Sequence, residues 1–102
     1  MAITKIDEYE VMYSANAFVP RIWLKSTNKF IGQLIFKPNG SPLPPDGMSG
    51  AQVNLYYHLD DFENAIDLLR NEKPMYLLYS GSGGGFENGI KTTPEPVGEG
   101  EA

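Results

Sequence analysis

Val53 to Tyr79 reads VNLYYHLDDFENAIDLLRNEKPMYLLY, and the fold class follows from how this stretch divides. Phe62, Ala65, Ile66 and Leu69 recur at i, i+3, i+4 and i+7, with Leu68 widening the stripe, while Glu63, Asn64, Asp67, Arg70 and Asn71 take the opposite side. That period predicts an amphipathic helix over residues 61–72. Asp60 followed by Glu63 has the spacing of a capping box, which places Asp60 at the N-cap. Lys73 suits the negative end of the macrodipole, and Pro74 forbids continuation. Burying Phe62, Ile66 and Leu69 contributes on the order of 5–9 kcal/mol before ordering costs, and a helix of about three turns is marginal without it. The helix therefore needs a sheet to lie on.

Strands are expected on both sides of it. Val53, Leu55 and Tyr57 alternate with Asn54, Tyr56 and His58, and MYLLY from Met75 to Tyr79 is almost continuously apolar. As neighbours in one sheet these two would be parallel, joined by a right-handed crossover. In a curled antiparallel sheet another strand separates them, and the sequence leaves both arrangements open.

Upstream, Tyr9 to Ser14 alternates as a first strand. FVPRIWLK from Phe18 to Lys25 puts Ile22 and Leu24 on one face and Arg21, Trp23 and Lys25 on the other. Pro20 belongs at the start of that strand or on a free edge. KFIGQLIF from Lys29 to Phe36 follows the turn residues Ser26 to Asn28, which predicts an antiparallel hairpin. Gly32 within it marks a bulge or a close backbone approach. Apolar groups on both faces make this strand central or covered twice.

Lys37 to Gly50 holds four of the eight prolines and three glycines in fourteen residues. It is read as a long loop whose prolines favour a shaped surface over a floppy one. GSGGG from Gly81 is a turn between strands, since neither a Gly-Lys-Ser/Thr nor a helix follows, so no nucleotide cofactor is expected. Asn88-Gly89 suggests a tight hairpin turn and a short closing strand at Ile90. The expected architecture is α+β: one domain over residues 1–93, a twisted, mainly antiparallel sheet of five or six strands, and one helix on one face. Residues 94–102 form an acidic Pro/Gly-rich tail.

Composition narrows the function. There is no cysteine among the 102 residues, which removes disulfides, thiolate chemistry and cysteine-based metal sites and is compatible with a cytoplasmic location. No apolar run reaches the ~20 residues that span a bilayer, and the polar first ten residues do not read as a secretory signal. A soluble protein is expected. A net charge of -5 opposes nucleic-acid binding, although aromatic strands can stack single-stranded bases.

Two activities remain. His58, the single histidine, stands near Asp60 and Tyr57, and a His–carboxylate pair can act as a general base in a small enzyme. The plainer reading is a strand-end histidine beside a helix cap, and no nucleophile motif accompanies it. Asp60, Asp61 and Glu63 lack the loop spacing of a calcium site, so no metal is expected. The stronger signal is aromatic: six tyrosines, five phenylalanines and one tryptophan are more than a core of this size uses. Trp23 with Arg21, and Tyr56 and Tyr76 on the outward faces of their strands, mark a partner surface or a self-association face. Pro44 and Pro45 of the long loop are expected near it. The leading expectation is a non-catalytic binding or protein-interaction module, self-associating as a homodimer that covers the second face of the sheet.

Overall fold

A strand that changes partners half-way along sets the architecture. The computed structural model describes residues 2–94. β1 (Ala2–Ile6) and β2 (Glu8–Met12) are one run of chain separated by Asp7. β1 pairs antiparallel with β7 (Met75–Tyr79), whereas β2 pairs antiparallel with β3 (Arg21–Ser26). The result is two sheets. One has the order β1-β7-β8, with β8 at Gly89–Lys91, and the other β2-β3-β4-β6-β5, with β4 at Lys29–Lys37, β5 at Gly47–Ser49 and β6 at Gln52–His58.

The α+β class and the mainly antiparallel pairing agree with the sequence reading, but the count does not: among the described residues eight strands in two sheets replace five or six in one. Neither expected arrangement of the strands flanking the helix occurs, because β6 and β7 belong to different sheets. Among the described residues the single parallel pairing is β4 with β6, in register from Gly32↔Val53 to Lys37↔His58. Three further elements differ from expectation. β1 lies in the N-terminal stretch read only as polar, β5 forms inside the long loop, and Asn88 is not part of a two-residue turn. The expected acidic tail, apart from Pro94, lies outside the described residues.

The β3–β4 hairpin is as expected, with Pro20 just before β3 and β4 in the middle of its sheet. Thr27 and Asn28 form the two-residue turn with positive φ at both positions, 53° and 65°, the requirement of a type I′ turn. Asp7 Oδ2 accepts the Thr27 N–H at 2.7 Å and ties the turn to the junction between the sheets. Both of the alternatives offered for Gly32 occur. The register shifts beside it, Leu24 pairing Gly32 and Lys25 pairing Phe30, and a Cβ at position 32 would stand 2.6 Å from the Val53 carbonyl oxygen.

The helix α1 (Phe62–Asn71) follows a 3-10 turn at Leu59–Asp61. Ala65 and Leu69 are buried, and Phe62 and Ile66 pack against the same core. Leu68, expected to widen the stripe, is 39% exposed. The predicted capping box is absent: the 3-10 turn displaces the helix start, Asp61 occupies the N-cap without a side-chain bond, and the Asp60 carboxylate is engaged elsewhere. One core joins both sheets and the helix, through Ile6, Ile22, Leu24, Leu34, Phe36, Leu55, Leu69, Met75 and Leu77. An aromatic series leads out of it, Tyr57 stacking on Phe36, Phe36 meeting Phe62 edge-on, and Phe62 stacking on Tyr13 at the surface.

Candidate interaction surface on the five-stranded sheet

Alternation decides what the outer face of the five-stranded sheet carries. Ile22, Leu24, Leu34, Phe36, Val53 and Leu55 turn inward, so their neighbours in sequence must turn outward. Residues directly opposite one another share a face. Glu10, Trp23, Gln33 and Asn54 therefore form one row across four strands, and Met12, Arg21, Ile35 and Tyr56 form the next. Sequence reasoning placed Trp23, Arg21 and Tyr56 on outward faces, and the pairing brings them together.

The row at Trp23 is hydrogen-bonded along its length. Trp23 Nε1 donates to Gln33 Oε1 at 3.2 Å, and Gln33 Nε2 donates to Asn54 Oδ1 at 3.1 Å. The indole is thus fixed in one orientation. Phe30 meets it edge-on at 6.4 Å between centroids. Each ring also carries a cation: the Arg21 guanidinium lies 5.4 Å from the Trp23 ring, and Lys25 Nζ lies 4.9 Å from that of Phe30. Lys25 is also paired with Glu10 at 3.2 Å. Arg21 differs. Its Nε is shut off from solvent with no hydrogen-bond partner, and among the described residues Arg21 forms no ion pair.

The remaining predicted site residues do not converge. His58 and Tyr57 project to opposite sides of β6. Tyr57 lies over Phe36, and burial, followed by the carboxylates of Asp46 and Asp61, pushes its phenol up to about 12. A proton so firmly held makes no catalytic partner for an imidazole on the other side of the strand. His58 Nε2 lies 2.8 Å from the Ser41 carbonyl oxygen, which can only accept, so this nitrogen carries the proton. Asp60 is bonded reciprocally to Asn39: Asn39 Nδ2 donates to Asp60 Oδ1 and Asp60 N–H to Asn39 Oδ1, both at 2.9 Å. Both residues hold the long loop. Tyr76 stands on the outer face of the other sheet, in register with Lys5 and Lys91, away from Trp23.

The chain matches no family model, no curated protein and no solved structure. Its function has to be argued from its own side chains.

The long loop is held at its far end as well. Asp46 Oδ1 accepts the Tyr56 N–H at 3.0 Å, and Asp46 Oδ2 accepts from Asn88 Nδ2 at 3.0 Å. Asn88 in turn accepts the Ser80 N–H at 2.6 Å and donates to the Gly81 carbonyl at 2.9 Å. Pro44 and Pro45 lie between the two anchors and are exposed. Gln33, Asn54, Asp46, Asn88 and Asn39 were missed in the sequence. The parity of β4 and β6 carried a signal for the first two, but the last three act across distances in sequence that no local pattern reports. Among the described residues no group of three His, Asp or Glu side chains could hold a metal ion, and no helix is long and apolar enough to cross a membrane.

Proposed function

We propose that the chain is a non-catalytic protein-interaction module that self-associates through the outer face of its five-stranded sheet. Arg21 carries this reading. An enclosed Nε without a partner costs on the order of 1–3 kcal/mol, and an arginine on a sheet face serves stability poorly when a methionine would fill the same volume. A carboxylate from outside supplies the missing acceptors, and arginine offers it a planar fork. The face also carries its own complement. Arg21 and Lys25 occupy β3 and Glu8 and Glu10 occupy the adjoining β2, so two copies related by a twofold can set guanidinium against carboxylate. Trp23, fixed by Gln33, supplies the rigid aromatic anchor characteristic of interface centres.

The competing enzyme reading rests on His58, and the bond to Ser41 and the separation from Tyr57 speak against it. Binding of single-stranded nucleic acid has the net charge of -5 against it. A chain without cysteine fits a reducing cytoplasm. The test is sedimentation velocity over a concentration series. A dimer that dissociates on dilution and is lost in Arg21→Met and Trp23→Ala is expected; a monodisperse wild-type monomer throughout the series overturns the proposal.

A further inference from the structure

The segment Ser41-Pro42-Leu43-Pro44-Pro45 joins two anchors that lie two residues apart on β6. Ser41 is held by His58 and Asp46 by the Tyr56 N–H. Between them residues 42–45 have no regular secondary structure and all four are exposed. Within the described residues no hydrogen bond involves any of them. Three of the four are prolines, whose rings fix φ at the polyproline II value and whose nitrogens have no proton to donate.

Polyproline II has three residues per turn, so Pro42 and Pro45 fall on one side, a turn apart, as the second members of the X–Pro dipeptides Ser41-Pro42 and Pro44-Pro45. Two prolines at this spacing are what an aromatic-lined groove reads. Leu43 is 39% exposed and adds an apolar contact between them. We infer that Pro42–Pro45 is a preformed polyproline II ligand displayed for an aromatic-grooved recognition domain of another protein. A free peptide of this sequence has to be ordered on binding. Here the anchors at Ser41 and Asp46 have already limited it, which favours recognition of the folded chain over the isolated peptide.

The inference does not rest on self-association. The test titrates the full-length chain, isotope-labelled, with purified polyproline-binding domains of the SH3, WW and EVH1 types, following amide resonances. Saturable shifts confined to residues 38–46 and their anchors are expected with at least one type. Affinity should fall at least tenfold in Pro42→Ala/Pro45→Ala, whose retained fold is verified by the remaining resonances, and should be unchanged in Arg21→Met. Absence of binding to all three types overturns the inference, as does undiminished binding by the double variant or loss of binding in Arg21→Met. A monomeric chain that binds as expected would sink the self-association proposal and leave this one standing.

Discussion

Asn88 Nδ2 donates to Asp46 Oδ2 at 3.0 Å across 42 residues of sequence, linking the end of the proline-rich loop to the approach to β8. The same two side chains hold the Tyr56 and Ser80 N–H groups, so the contact connects β6 of one sheet with the end of β7 in the other. Removing either side chain strands polar partners in a partly buried site. Asp46→Ala and Asn88→Ala should each lower unfolding free energy by about 1–3 kcal/mol. The double variant should lose less than the sum, with a coupling of about 0.5–3 kcal/mol in denaturant titrations. Strict additivity would mean that the 3.0 Å contact carries no energy.

Gly32→Ala tests the close approach of β4 to β6. The added methyl meets the backbone oxygen of Val53, which cannot swing aside as a side-chain tip would. A loss of about 1–3 kcal/mol is expected. Gly47→Ala, where a Cβ meets nothing within 4 Å, serves as the control and should change stability far less. Equal effects at the two positions would contradict the geometry.

The β3–β4 turn holds Thr27, a β-branched residue, at positive φ. Thr27→Asn with Asn28→Gly gives the pair that type I′ turns favour, and a gain of about 1 kcal/mol follows in chemical denaturation. Asp7→Ala should act in the opposite direction by releasing the Thr27 N–H. A destabilised turn variant would show that the threonine makes contacts beyond the turn.

Alkaline stability reports on Tyr57. Burial and the nearby Asp46 and Asp61 carboxylates raise its phenol from 10.0 to about 12, so the folded chain keeps a proton that the unfolded chain releases. The stabilisation is present in full below pH 10 and is lost as pH rises from there towards 12, at a slope approaching about 1.4 kcal/mol per pH unit. Tyr57→Phe should flatten that part of the profile of unfolding free energy against pH. An unchanged slope in the variant would assign the alkaline loss to other groups.

Arg21→Met separates stability from association. Replacing a guanidinium that has an unsatisfied Nε with an apolar chain of similar length should leave unfolding free energy unchanged or raise it by about 1 kcal/mol, while abolishing the proposed self-association. A clear loss of stability in the monomer would return Arg21 to a structural role.

What the sequence revealed was whatever repeats with a short period. The stripe of α1, the alternation in β3 and β6 and the β3–β4 hairpin were all legible because neighbouring residues impose them. The outward placement of Trp23, Arg21 and Tyr56 came from the same alternation. Strand partnership was not legible. Nothing near Met75 says that its partner is Ile6, and the turn of chain at Asp7 that divides the sheets is one residue long. Asp60 misled for a related reason. Its spacing to Glu63 satisfies a capping box, but the donor that claims its side chain is the Asn39 amide, 21 residues upstream.

The bent ribbon from Ala2 to Met12 belongs to both sheets at once. It works as a seam: cut away, β7 and β8 have no strand pairing with the hairpin side and keep only the shared core, the helix and the loops. The two halves of this molecule therefore stand or fall as one garment, and neither should persist as a folded fragment alone.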